Sequence, residues 1–210
     1  MSIHLKNISI PYISSNRSEL WNHNIHFEQG KYYHIKAASG KGKSSLIQTL
    51  FGLQKDFLGE ILIDEKNTKH IRIEDWCDIR ASKISIVFQD LKLLNDQTAF
   101  MNIELKRGLT NYYVEDKIVE LAERLDIKHI LHRKIDTLSY GERQRVAIVR
   151  ALMQDYQYLL LDEPFSHLDE QNIFNACTLI QDETMKRNAS ICIVDLEDDD
   201  RFKYHQKLLL

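Results

Sequence analysis

Three leucines running directly into two adjacent carboxylates restrict this chain more than any other stretch. They lie in Gln157-Tyr158-Leu159-Leu160-Leu161-Asp162-Glu163-Pro164. Leu159, Leu160 and Leu161 run without polar alternation, which suits a strand buried on both faces, as in a parallel sheet. Asp162 and Glu163 then emerge at its carboxyl end, where open α/β sheets bind ligands. Two carboxylates at such a place are either neutralised by a metal or have a chemical task. Pro164 has no N–H to give a ladder and ends the strand.

A second unit lies upstream. Lys31-Tyr32-Tyr33-His34-Ile35-Lys36 reads as a strand, and Leu46, Ile47, Leu50 and Phe51 recur at helical spacing. Between them run Ala37, Ala38, Ser39, Gly40, Lys41, Gly42, Lys43, Ser44 and Ser45. Strand, small-residue loop, Gly-Lys-Ser and helix make the context of a phosphate-binding loop, or P-loop. Backbone N–H groups of the loop and of the helix start point at phosphate oxygens. Lys43 adds a point charge for the β- and γ-phosphates, and the Ser44 hydroxyl can ligate Mg²⁺. The strict pattern has Gly where this chain has Ala37; if that position needs positive φ, Ala costs about 1–2 kcal/mol. The bland alternative is a polar turn before a helix.

Leu138-Ser139-Tyr140-Gly141-Glu142-Arg143-Gln144-Arg145 precedes the acidic strand. Ser139 with Glu142 three residues on is a capping box for a helix over about 140–153. The same stretch resembles the LSGGQ-type signature of ATP-binding cassette (ABC) ATPases, with Tyr140 replacing the first Gly and Glu142 replacing Gln. Both readings hold together, because a capped helix start is also an anion site. The resemblance covers nearly the whole chain. Tyr12 matches the aromatic that stacks on adenine, though it also reads as an ordinary edge aromatic. Gln89 matches the glutamine that senses Mg²⁺ and the membrane partner, or else a solvated strand end. Ser166-His167-Leu168-Asp169 matches the D-loop.

The resemblance implies an α/β fold, a P-loop NTPase core with an N-terminal antiparallel β region and an inserted helical subdomain. Its core is expected over residues 1–89 and 154–210, with the helical part over about 90–153. It implies ATP as substrate and Mg²⁺ as cofactor, the ion held by Ser44, Gln89 and Asp162. Glu163 is the expected general base, with Lys43 and Gln89 beside it. Ser139 and Gly141 are expected to reach the γ-phosphate held by a second ATPase subunit, in a dimer closing on two nucleotides. The small size looks like the lipoprotein-release, macrolide-export and cell-division group. In that group a separate integral-membrane permease is the partner. Leu91, Leu93, Leu94, Phe100 and Met101 read either as a groove for its cytoplasmic helix or as core of the helical lobe.

One departure bears on turnover. The family has a switch histidine after the strand that here spans about Ser190–Val194, and Leu196 stands in its place. Leucine has no proton to give a γ-phosphate. Hydrolysis is then slow or rescued by another group such as His167, whose alternative is a plain interface residue. An ATP-gated clamp with little turnover is the rival reading.

Composition excludes other classes. A net charge of −3 carries no general nucleic-acid signature. DNA-repair relatives insert long coiled coils, whereas 49 residues without a heptad run lie between Gln89 and Ser139. Cys77, Cys177 and Cys192 have no metal-like spacing and read as buried, reduced thiols. No run approaches the ~18 apolar residues that span a bilayer, and Met1–Lys6 lacks a signal-peptide core. The expected place is cytoplasmic, peripheral on the inner face of the membrane. Asp198-Asp199-Asp200 reads as a solvated loop.

Overall fold

The computed structural model describes residues 1–13 and 17–210; the small part of the N-terminal β reading at 14–16 lies outside the described residues. The chain begins with strands β1 (Ile3–Ser9), β2 (Asn24–Phe27) and β3 (Tyr32–Lys36), followed by helix α1 (Lys43–Leu50). Strands β4 (Leu58–Ile63) and β5 (Lys66–Asn67), helix α2 (Ile73–Ser82) and strand β6 (Ile84–Val87) come next. Helices α3 (Ala99–Arg107), α4 (Asp116–Arg124) and α5 (Tyr140–Leu152) are then consecutive, joined by loops and 3₁₀ turns. Strand β7 (Tyr158–Asp162), helix α6 (Glu170–Lys186) and strands β8 (Ser190–Asp195) and β9 (Gln206–Leu209) complete it.

Two sheets result. The antiparallel one has the order β2-β1-β4-β5, and the parallel one β6-β7-β8-β3-β9. In the parallel sheet every strand points the same way. The segments after β3, β6, β7 and β8 therefore share one edge, and these carry the P-loop, Gln89, the carboxylate pair and Leu196.

The leucine run behaves as its lack of alternation predicts. Leu159 and Leu161 enter the apolar core shared with α3–α6. Tyr158 and Leu160 enter the core beneath the antiparallel sheet and α1. Strand β8 divides likewise, Ile191 and Ile193 to one side, Cys192 and Val194 to the other. Each such side chain contributes about 1.5–3 kcal/mol by leaving water. The two sheets are tied where the buried Tyr158 hydroxyl donates to the Phe27 carbonyl at 2.5 Å.

The helical part expected over about 90–153 is not continuous, because the stretches 108–115 and 125–139 turn rather than extend the helices. Helix α4 turns one apolar face inward: Ile118, Leu121 and Ala122 are fully buried, as is Leu125 at its end. Thr98 caps α3 by accepting from Met101 N at 3.1 Å, and Asp169 caps α6 by accepting from Asn172 N at 2.8 Å.

Two expectations need correction. Helix α2 has weak apolar periodicity, and only Trp76 and Ile79 anchor it. Cys77 on its outer face is exposed, while Cys177 and Cys192 are buried. Asp199 is not solvated. It is buried, accepting from the Tyr204 hydroxyl at 2.6 Å and from Arg201 N at 2.8 Å, while Asp198 and Asp200 remain at the surface. The groove residues also separate: Leu91 belongs to the core, Leu93 and Phe100 pack partly against it, and Leu94 and Met101 stay exposed.

Candidate functional site

Strand β3 delivers the P-loop to the sheet edge. Ala37 is fully buried, and its N–H donates to Asp195 O at 2.9 Å. Ala37 is not among the residues with positive φ, so alanine carries no backbone strain there; the left-handed positions of the loop are Gly40 (77°) and Gly42 (96°). At Gly42, which starts α1, a Cβ would also lie 2.4 Å from Ile13 Cδ1. Glycine is thus required twice over, by conformation and by space.

Lys43 is buried at the first position of α1. Its ammonium donates to Ala37 O at 3.1 Å and to Ala38 O at 3.5 Å, and lies 3.4 Å from Glu163 Oε1. All three partners are ones a phosphate can replace. Next to it the Ser44 hydroxyl donates to Gln89 Oε1 at 3.2 Å.

At the end of β7, Asp162 is 3% exposed, and its Oδ1 has no hydrogen-bond partner. Burial pushes this carboxyl up to about 6; the adjacent Glu163 charge adds to the effect, against the Ser44 hydroxyl and Lys43. Asp162, Ser44 and Gln89 line one cavity of about 280 Å³. No cluster of three or more His, Cys, Asp or Glu side chains suited to a metal exists among the described residues. A hydroxyl, an amide oxygen and one orphaned carboxylate oxygen nevertheless match a hard cation that keeps waters and phosphates as its remaining ligands.

Glu163 turns away from the strand with φ 48°, a left-handed conformation that costs a residue of this kind on the order of 1–3 kcal/mol. Its N–H donates to Val194 O at 3.0 Å, and its carbonyl accepts from Gln144 Nε2 and Ser166 Oγ, each at 3.2 Å. The side chain thereby leaves the strand direction and faces Lys43. Gln144 was not singled out from sequence. It is buried and joins two loops, because its Oε1 also accepts from His167 N at 3.2 Å. The signal was available: a glutamine on a helix whose other buried residues, Val146, Ala147, Ile148, Val149, Ala151 and Leu152, are all apolar. Gln144→Ala leaves the His167 N–H without its partner and takes one of two hydrogen bonds from the Glu163 carbonyl. Roughly 1–3 kcal/mol of stability should be lost, read as a lower urea midpoint; an unchanged midpoint would rule out this role.

Tyr12 is largely exposed, its hydroxyl accepting from Gln54 Nε2 at 2.8 Å. It borders a cleft of about 300 Å³ with Ser39, Gly40, Gly42, Lys43, Ser44, Ser45, Gln89 and Glu163. Ala37, Ala38 and Lys41 are the remaining residues of the same loop; Lys41 contributes its carbonyl, which accepts from Trp21 Nε1 at 3.4 Å.

Ser139 and Gly141 line neither cavity. The capping box is formed, Glu142 N donating to Ser139 Oγ at 3.3 Å and Ser139 N to Glu142 Oε2 at 2.7 Å. At Gly141 a Cβ would come within 3.0 Å of His167 O. The His167 ring lies against Tyr140, with centroids 4.2 Å apart. Leu196 is partly exposed; its N–H donates to Asp195 Oδ1 at 2.7 Å.

Comparison with known proteins gives a consistent picture. Residues 20–166 match the family described as ABC transporter. The lipoprotein-releasing system ATP-binding protein LolD of Saccharophagus degradans is 33% identical over 174 residues, covering 81% of this chain and 76% of that protein. LolD of Legionella pneumophila is 35% identical, covering 76% and 72% respectively. The glucose import ATP-binding protein GlcV of Saccharolobus solfataricus is 34% identical over 94% of this chain, which spans only 57% of GlcV. Among solved structures, a dimeric post-hydrolysis state of the ATP-binding cassette MJ0796 bound to ADP and Pi superposes with a TM-score of 0.81 at 27% identity. That match covers 93% of this chain and 88% of the other.

Proposed function

The chain belongs to the ABC transporter family as its ATP-binding cassette, and on that premise we propose that it dimerises on ATP and drives a membrane partner by hydrolysis. The observation that carries this reading is the convergence of Lys43, Ser44, Gln89, Asp162 and Glu163 at one sheet edge, with the Lys43 ammonium 3.4 Å from Glu163.

In this reading Lys43 exchanges its loop carbonyls for β- and γ-phosphate oxygens, and the amides of residues 38–45 surround the same oxygens. Ser44, Gln89 and Asp162 would hold magnesium. What the ion supplies there when bound is neutralisation of phosphate charge. Glu163 accepts a proton from the water whose oxygen attacks the γ-phosphorus. The bond from that phosphorus to the β-bridging oxygen breaks, ADP leaves, and Glu163 later returns the proton. Tyr12 offers its exposed ring to adenine.

Ser139 and Gly141 line neither cavity of this site, which supports their use on the nucleotide of a second copy. The MJ0796 cassette bound to ADP and Pi is itself dimeric. Closing on ATP and opening after hydrolysis would shift a two-state equilibrium that the partner reads. Leu94, Met101 and Leu105 on the helical lobe are exposed apolar residues that suit a short amphipathic helix of a permease. No helix among the described residues is long and apolar enough to cross a membrane, so this reading places the chain peripherally, on the cytoplasmic face. Similarity to LolD favours the lipoprotein-release group.

Leu196 favours a second reading, an ATP-gated clamp with little turnover. Mg-ATP hydrolysis by the purified chain, with Glu163→Gln as blank, separates the two. Turnover above the blank is expected; none, with ATP still bound, would favour the clamp. Leu196→His should raise turnover, because an imidazole can donate to the γ-phosphate where leucine cannot. An unchanged rate would place that donor elsewhere.

A further inference from the structure

Tyr140, the first residue of α5, stands where the family signature has glycine, and the side chain that replaces hydrogen is engaged on two sides. Its hydroxyl donates to the Gln89 carbonyl at 2.9 Å, and its ring lies against His167. It also borders the cavity shared by Ser44, Gln89 and Asp162. A glycine could make none of these contacts.

Gln89 needs such an anchor. It is exposed, and the chain after it passes through two consecutive left-handed residues, Leu91 (60°) and Lys92 (47°). Its amide nevertheless sits at Ser44, accepting from the hydroxyl at 3.2 Å. A side chain is held in one place only when its backbone is held as well. We propose that Tyr140 is a positioning residue: it pins the Gln89 carbonyl to the start of α5 and so sets the Gln89 amide oxygen for the metal of Mg-ATP. This rests on the nucleotide-site reading above. It gives the departure at 140 a role, because one hydroxyl joins the metal-facing loop to the helix that bears Ser139 and Gly141.

The test is binding of a fluorescent N-methylanthraniloyl ATP to the full chain, with Mg²⁺ and with EDTA. In the wild type Mg²⁺ should tighten binding. Tyr140→Phe keeps the ring on His167 and loses only the hydroxyl. It should lose about fivefold of that tightening, the factor corresponding to one neutral hydrogen bond, with the EDTA affinity unchanged. In a Gln89→Ala background, which retains the carbonyl but not the amide, Tyr140→Phe should change the Mg²⁺ effect by less than about twofold.

An unaltered Mg²⁺ effect in Tyr140→Phe would overturn the proposal. So would the same loss in the Gln89→Ala background, since Tyr140 would then not act through the amide. Loss of cooperative unfolding in Tyr140→Phe would show a purely structural role and overturn it equally. Failure of the wild-type chain to bind ATP at all would overturn the nucleotide site itself, and this assignment with it.

Discussion

Glu163→Gln should lose ATP turnover by roughly two to four orders of magnitude, the range a positioned general base contributes, while ATP binding survives. Glutamine keeps the shape of the side chain and the backbone bonds that fix its position, from Gln144 and Ser166 to the carbonyl and from the N–H to Val194 O. What it removes is the one carboxylate facing Lys43 across 3.4 Å. The lysine is then freer to engage phosphate, so ATP should accumulate on the protein unhydrolysed. Light scattering with ATP should show the variant as a stable dimer under conditions where the wild type cycles. Turnover at the wild-type rate would mean that another group takes the proton.

The second large effect lies away from the nucleotide, in a buried charge cluster. Glu183 on α6 is fully buried. It accepts from Arg187 Nη1 at 2.9 Å, from Lys186 Nζ at 2.7 Å, and from the Tyr113 hydroxyl. The Arg187 guanidinium in turn lies over the rings of Tyr112, Tyr113 and Tyr156, between 4.6 and 5.0 Å from their centroids. Burial alone pushes the Glu183 carboxyl up, but the hydrogen bonds from Lys186, Tyr113 and Arg187 and the Arg187 charge outweigh it and hold the group at about 2. Glu183→Ala leaves a buried guanidinium without its counter-ion and should cost about 3–5 kcal/mol. For a chain of this size that is on the order of 10 °C in melting temperature. Because the folded value lies below the unfolded one, near 4.3, the stabilisation is complete above that pH. It should fade as pH falls from about 4.3 toward 2. A variant melting within about 2 °C of the wild type would mean that the cluster relaxes without cost.

The cluster marks a limit of sequence reading. Glu183 and Arg187 have i,i+4 spacing, but Tyr113 lies 70 residues from Glu183, and no local pattern links it to them. The site loops were legible because each is a contiguous stretch whose residue types serve one task. The leucine run announces two-sided burial, Gly-Lys-Ser announces a phosphate, and Ser139 with Glu142 announces a helix start. Helix α2 was not legible, since its apolar face amounts to Trp76 and Ile79. Asp199 was misjudged because its neighbours are solvated, and only Tyr204 and Arg201, brought round by the chain, give it partners.

Local composition thus dictated which segments form strands, helices and an anion-binding loop, because backbone preference and hydrophobic period act over a few residues. It did not dictate that Ala37 escapes strain, that Glu163 is turned by the bonds at its backbone, or that Tyr140 reaches Gln89. Those depend on strand order β6-β7-β8-β3-β9, which brings loops distant in sequence to one edge. There hydrogen bonds and buried charges are settled by distance in space.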